Sequence, residues 1–500
     1  MENLTHQQAS RFLDLATMGV QQDALEAFKL IDDRKTWLEQ QIAVPYMHHL
    51  ERTHYQTDSR GLNTPTQDCR VGAWFDIALW DEAQLRQRVA FALSQIFVVS
   101  EKDANLATDP LALSNYYDLL VDGAFGSCKE LLKNITLSPV MGQYLTFNAN
   151  KPKSITGQDP DQNYAREIMQ LFTIGLYELN NDGSLKTDPQ GKPIETYTDS
   201  DIEAVSRIFT GWDITDNNTL VPMSDTEAHH DSEEKWVLGH YYPPGQTAIQ
   251  DLDQFLSQLL DHPNIAPFLS TMLIKRLTTS NPTPAYVSRV ANTFIQSGGN
   301  LGEVIIAIYS APELLEPNNL NMAKVREPIL GMTYLYRAMN AYPGNNNDIV
   351  YDPMNYKETF NQYPLGSNSV FNFYQPSHSP QGQLAELGLT APELAIIDWS
   401  QTINMGNIIY RALKDYGQNR GNSSNKKELY IAPTELEDMA RAGDTESIVE
   451  RVNLLVLNGQ GSPEVIDRIR EMFVSHNNQY YAVPKMLFIA FISPDFMVQE

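Results

Sequence analysis

The sequence predicts an all-α, or nearly all-α, fold: one large multi-helical globule of recurrent helix pairs over residues 1–500, with a β-hairpin or ordered-loop excursion near 176–198. Three observations predict it. Apolar residues recur at helical spacing through most of the chain, residues that start and stop helices frame those stretches, and a helix–turn–helix–proline pattern returns three times.

In 81–99, DEAQLRQRVAFALSQIFVV, the residues Leu85, Val89, Ala92, Leu93, Ile96 and Phe97 share one stripe. Asp81 and Glu82 stand in the expected first turn, where a helix dipole favours carboxylates. Residues 161–174 repeat the logic, with Asp159-Pro160 as N-cap and first helical residue and Tyr164, Ile168, Leu171 and Phe172 as the apolar face. Between 176 and 198 the helical period stops, and Asp182-Gly183 and Gln190-Gly191-Lys192-Pro193 supply turn chemistry. Thr198 caps the next helix with Asp201 three residues on, Ile202, Val205, Ile208 and Phe209 point inward, and Gly211-Trp212 ends it. Helices resume over 249–314. Two segments, 213–248 and 340–385, are long and irregular. The second runs through Asn345–Asn347 into Tyr, Pro, Asn and Phe, so it must pack on the core or line a site. Residues 418–428 form a polar tip before two last helices.

The repeat is weak but regular. Gly126 to Pro139, GSCKELLKNITLSP, and Gly299 to Pro312, GNLGEVIIAIYSAP, agree in length and apolar spacing, and a third copy ends at Ser493-Pro494. Pro284, Arg289 and Phe294 share their spacing with Pro463, Arg468 and Phe473. Each unit reads as a helix, a turn, and a buried helix stopped by proline, because the residue before proline avoids the α region.

Composition bounds the function. Hydrophobic residues make up 42% of the chain, enough for a packed core, and the formal charge is −26. That charge repels phosphate backbones and anionic lipid, so no nucleic acid and no membrane insertion is expected. No run reaches the roughly 18 apolar residues that a bilayer needs. The N-terminus, MENLTHQQASRFLDLATMGV, reads as an amphipathic helix rather than a signal peptide. Cys69 and Cys128 are too few for a disulfide framework, and whether they are bridged stays open.

The segments QLRQRVAFALSQIFVVS (84–100), MGQYLTFNANK (141–151), PDQNYAREIMQLFTIGL (160–176), FTGW (209–212), HHD (229–231) and VFNFYQP (370–376) together resemble the bacterial family catalogued as domain of unknown function 1800. The resemblance runs from SRFLDLATMG (10–19) to SPDFMVQ (493–499), and NYARE followed by TGW carries it most specifically. The family commonly has Glu where Gln162 stands, so an essential carboxylate is not expected there. The resemblance implies a periplasmic or extracellular protein, with the cytoplasm left open by the absence of a signal peptide. It implies no particular reaction.

Candidate chemistry sits in four places. In the NYARE helix, Glu167 falls on the apolar side, three residues after Tyr164 and four before Leu171. A buried charge needs a partner, so the structural expectation is an Arg88–Glu167 pair, or an Arg166–carboxylate pair, that ties helices together. The functional expectation is a cleft carboxylate acting as general acid or base beside Arg166, with Asn163 and Tyr164 lining the cleft. His229, His230 and Asp231 either cap and hydrate a loop, act as an acid/base pair, or, for His230 and Asp231, bind a divalent metal. Trp212, which ends the helix before this loop, and Arg88 are further candidates for binding substrate. Lys275-Arg276 offers either an anion pocket or a solvated helix edge. Phe371, Phe373 and Tyr374, with Tyr351, Tyr356 and Tyr363, are either a sugar-stacking platform or aromatics pinning a coil.

Two further clusters read as structural. His48, His49 and His54 form a partly exposed surface, and Asn180-Asn181-Asp182-Gly183-Ser184 is a hairpin turn rather than a calcium loop. No P-loop, GxGxxG, GxSxG or CxxC occurs, which disfavours the common nucleotide, serine-hydrolase and thiol chemistries. Three functions remain: an exported enzyme acting on a polysaccharide or similar polymer through carboxylate and His acid–base chemistry, of hydrolase or lyase type; a non-catalytic envelope binding or scaffold protein; and a metal-dependent enzyme centred on 229–231.

Overall fold

The structure, a computed structural model, describes residues 4–31, 33–316, 322–344, 348–351, 360–414, 429–476 and 479–499. It is the expected helical globule, and its named sheets have two short strands each.

The helix Gln84–Ser94 lies at the centre, and every one of its residues is buried. It begins three residues later than the acidic pair Asp81 and Glu82 suggests, so those carboxylates precede the helix rather than fill its first turn. Its polar first half is accommodated in one recurring way: the side chains reach the last-turn carbonyls of neighbouring helices. Gln84 donates to Ala78 of the helix Gln67–Trp80. Arg86 donates to Val121 of Pro110–Gly123 at 2.9 Å and to Ile42 of Arg34–Ala43 at 3.1 Å. Arg88 donates to Arg276 of Ile265–Leu277 at 2.9 Å. Two further buried arginines do the same: Arg34 holds the carbonyls of Tyr309 and Ala311 at the end of Leu301–Tyr309, and Arg337 holds Leu79. Last-turn carbonyls lack intrahelical donors and carry the negative end of the dipole, so each is a fitting partner for a cation.

The repeat has a physical counterpart. The helices Cys128–Leu137 and Leu301–Tyr309 start side by side, with Cys128 N–H on Gly299 O and Leu301 N–H on Gly126 O, both at 2.9 Å. Gly299 has a φ of +79°, and a Cβ there would lie 3.4 Å from that of Cys128, so glycine is required. The third copy, Val483–Ile492, packs on Pro463–Val474, which like Pro284–Gln296 opens with proline at its first turn. Cys69 and Cys128 are both free and buried.

The excursion at 176–198 consists of three extended segments that close on one another. Lys186 N–H bonds Glu178 O, Ile194 N–H bonds Lys186 O, and Glu178 N–H bonds Ile194 O. Asp182 Oδ1 accepts from Ser184 N–H, which makes the NNDGS run a turn, as expected.

The irregular coil over 360–376 is strapped to the core from the helical side. Arg70 donates to Pro364 O, Glu101 N–H to Leu365 O and Ser100 to Ser367 O, and the Tyr363 hydroxyl meets Glu101 at 3.0 Å. Tyr351 carries the Arg60 guanidinium over its ring at 4.5 Å. Asn345–Asn347, Tyr356 and the tip at 418–428 lie outside the described residues. Among the described residues, no helix is long and apolar enough to cross a membrane.

The ends of the chain meet its middle at one buried knot. Arg326 grips Asp14 with two nitrogens, and its Nη2–Oδ2 contact is 2.8 Å. Asn458 and Gln499 donate to the same carboxylate, and Arg326 lies over the rings of Tyr334 and Phe496. Lys324–Val325 pairs antiparallel with Val498–Gln499 beside it. Removing one partner strands a buried charge. Asp14→Ala is therefore expected to lose about 3–5 kcal/mol in a urea unfolding titration, while the double variant Asp14→Leu/Arg326→Met, which buries no charge, loses far less.

Candidate functional site

The NYARE segment forms a short α-helix, Asn163–Glu167, that continues as a π-helix, Ile168–Thr173. The expected start at Asp159-Pro160 is not used. Asp159 is paired with Lys153, the N-cap is Gln162, and Asp161 accepts from Asn163 N–H. The wider π turn is helped by Thr173, whose hydroxyl donates to Ile168 O. Single π turns inside helices gather at functional sites.

Tyr164 is buried, stacks on Phe147 at 4.2 Å and bonds Thr136 through its hydroxyl, so it is a core residue and not a cleft wall. Asn163 and Arg166 face solvent. Glu167 is only 6% exposed, and its Oε2 has no hydrogen-bond partner. Burial raises its pKa, and the nearby Arg166 guanidinium offsets this only in part. Half-buried Tyr144 and Tyr197 stand close enough that the Glu167 charge helps burial push both phenols up to about 12. Asp103 raises Tyr144 as well, so two carboxyl groups act on that phenol. Tyr197 in turn reaches Gln170 at 3.3 Å.

The expected Arg88–Glu167 ion pair does not form. Arg88 points to the end of Ile265–Leu277, and neither it nor Arg166 lies within ion-pair distance of a carboxylate among the described residues. The premise that a buried arginine needs an acid was too narrow, since a helix C-terminus serves.

The 229–231 loop is locked. His230 is buried with Nδ1 3.0 Å from Thr210 O and Nε2 3.1 Å from Asp251, and Lys235 meets the same Asp251 oxygen at 2.7 Å. Asp231 takes Arg207 at both oxygens, 2.7 and 2.9 Å. Burial pushes the Asp231 carboxyl up, but Arg207 more than offsets this and leaves it below its ordinary value. Gly211, at a φ of +90°, passes so close that a Cβ would meet the His230 backbone N at 3.1 Å. Trp212 is buried in the same region, and His229 is half-exposed. TGW and HHD are thus two halves of one internal clamp. With both His230 nitrogens and both Asp231 oxygens engaged, the assignment of a metal or of acid–base catalysis to this loop is withdrawn. Among the described residues, no three His, Cys, Asp or Glu side chains are placed to share a metal.

The clamp and NYARE share a helix without sharing a site. Asn163–Glu167 packs on Asp199–Ile208, whose Arg207 holds Asp231, but no hydrogen bond or ion pair joins Glu167 to residues 229–231. His49 also departs from expectation. It is buried against Gln87, and desolvation brings its pKa down to about 3.

Arg88, Arg276 and Tyr374, by contrast, are drawn together. Arg276 is buried, its carbonyl holds Arg88, and its guanidinium covers the Tyr374 ring at 4.7 Å. Tyr374 therefore cannot stack on a sugar, and Lys275-Arg276 is no solvated edge. Tyr363 is tied to Glu101, so among the described aromatics of this coil only Phe371 is well exposed. Sequence reasoning missed Glu327 and Glu393, which bracket Tyr374; nothing in their spacing marks them. It also missed Asp103.

The sequence profile of the family described as protein of unknown function (DUF1800) matches residues 11–498. The chain belongs to this family. No curated protein and no solved structure matches it. The family's shared segments now have places: QLRQRVAF is the central helix that caps its neighbours, NYARE carries the buried orphan carboxylate, and TGW with HHD is the clamp.

Glu167 gives a pH test. Below its ordinary value of 4.5 it is protonated whether folded or unfolded. As pH rises the unfolded chain releases the proton first, so wild type loses stability until the raised folded value is passed. Glu167→Gln lacks this loss. Its thermal midpoint should gain on wild type across that window and run parallel above it.

Proposed function

We propose that this chain is an enzyme of hydrolase or lyase type that acts on an envelope polysaccharide by carboxyl acid–base chemistry, with Glu167 as the general acid. One observation carries the reading: Glu167 is a buried carboxyl with an unpartnered oxygen and a raised pKa, and it is not sealed in an ion pair. Such a group holds its proton above the pH at which an ordinary glutamic acid loses it, and can deliver it to a leaving oxygen. Asp103, half-exposed and close enough to influence Tyr144 electrostatically, suits the complementary role of activating water or removing a proton. Arg166 and Asn163, at the surface of the same turn, are placed to meet the substrate. Export, which the family resemblance implies, would bring the chain to a periplasmic or extracellular polymer. His229, His230 and Asp231 have no part in this chemistry.

The reading is tested by incubating the protein with uronic-acid and neutral polysaccharides and following chain length and new reducing or unsaturated ends. Turnover is expected on at least one class, with Glu167→Gln about 100-fold or more slower and Asp103→Asn also impaired. Full activity in Glu167→Gln would remove that residue from the mechanism. No turnover of any polymer would leave a non-catalytic envelope protein as the better reading.

A further inference from the structure

A second group of unsatisfied polar atoms lies where five separate stretches of chain meet: the end of Gln84–Ser94, the end of Ile265–Leu277, residues 324–327, the coil at 362–376 and the turn Pro392–Ala395. Glu327 is 1% exposed. Its Oε2 accepts from the amides of Gln95 (2.7 Å) and Gln362, and its Oε1 has no partner. Glu393, also 1% exposed, has one oxygen on Lys324, and its Oε2 has no partner. Arg276 leaves its buried Nε unpartnered above Tyr374. The Tyr374 hydroxyl faces Gln95 at 3.5 Å and the Glu327 carboxyl, with which it interacts as a hydrogen-bond donor, and Glu393 and Arg276 act on it electrostatically. Asn372, on the covering coil, leaves its side-chain N–H unpartnered as well.

An unmet buried carboxylate oxygen is costly, because it loses its water without replacement. Two of them beside an unmet guanidinium N–H describe a complementary shape in hydrogen-bond terms: donors are wanted at Glu327 and Glu393, and an acceptor at Arg276. The charges add a second condition. Lys275, Arg276 and Lys324 outnumber Glu327 and Glu393 by one, and the Lys275 ammonium has one hydrogen bond, to Pro376 O at 3.3 Å. A metal ion would be repelled by three cations. A plain carboxylate would satisfy Arg276 and leave the glutamates unmet, and a neutral polyol would do the reverse.

We propose that this cluster of unmet polar groups is a binding site for a hydroxylated carboxylic acid of the sugar-acid class, its carboxylate on Arg276 and Lys275 and its hydroxyls on Glu327 and Glu393. The site is separate from Glu167 and does not depend on the acid–base reading.

Titration calorimetry on the full chain tests it with four probes: glucuronate, glucose, acetate and inorganic phosphate. Glucuronate is expected to bind at one site per chain, with the other three at least about tenfold weaker. Arg276→Lys and Glu327→Gln should each weaken glucuronate by about ten- to a hundredfold, the size of one charge-assisted hydrogen bond. Tyr374→Phe keeps the ring under Arg276 and so guards against a folding failure. It should weaken binding by a smaller factor with an unchanged melting profile. Glu167→Gln should bind as wild type does. Three results overturn the proposal: no heat with glucuronate, equal binding of acetate or phosphate (a general anion surface only), or glucuronate affinity unchanged in the Arg276, Glu327 and Tyr374 variants alike.

Discussion

The fold depends on how its helices end. Each packed helix brings a last turn of carbonyls into the interior, where water cannot reach them. In this chain missing donors come from arginine and glutamine side chains, above all those of Gln84–Ser94, whose polar first half ends four neighbours at once. The exchange is reciprocal: the carbonyl ends are satisfied, and the guanidinium charges find the negative end of a dipole instead of a carboxylate. A chain with a formal charge of −26 can thus bury Arg86, Arg88 and Arg337 against the carbonyl ends of helices. Some buried acids are fully engaged, as Asp14 is by Arg326 and Asp231 by Arg207, whereas Glu167, Glu327 and Glu393 each keep one oxygen unpartnered.

The same constraint separates scaffold from site. The 229–231 loop looked chemical because it carries two histidines and an aspartate, yet every one of the polar atoms considered there as a ligand is consumed by Thr210, Asp251 and Arg207. Glu167 looked structural because a buried acid beside an arginine usually is, yet its arginine points to solvent. Residue type alone was a poor guide in both cases. The hydrogen-bond inventory of each atom was a good one.

Much of the architecture was nonetheless legible. The 3.6-residue period placed the helices, Thr198 with Asp201 forms the expected capping box, and the turn residues at 182–183 and 190–191 marked the closed excursion. The matched segments at 126 and 299 were a sign of two helices that begin side by side. What stayed hidden depends on contacts between distant residues. Nothing local marks Glu327 or Glu393, which meet only because the coil at 362–376 folds over the central helix, and Asp103 is a turn residue until Tyr144 packs near it. Helix starts were misjudged where a carboxylate had a better use, as with Asp81, whose side chain holds Met47 and Gln87. The distinction between an α and a π turn at 168 likewise rests on a hydroxyl–carbonyl bond that periodicity cannot register.

The knot at Asp14 carries a consequence for how the molecule is made. Its four hydrogen-bonded members come from the first helix, residue 326, residue 458 and residue 499. A ribosome delivers them in that order, so the Asp14 carboxylate waits for its last donor until residue 499 has been added. The knot therefore closes only after that residue has emerged, and a nascent chain stalled before it would hold Asp14 without its full set of partners, open to chaperones and proteases.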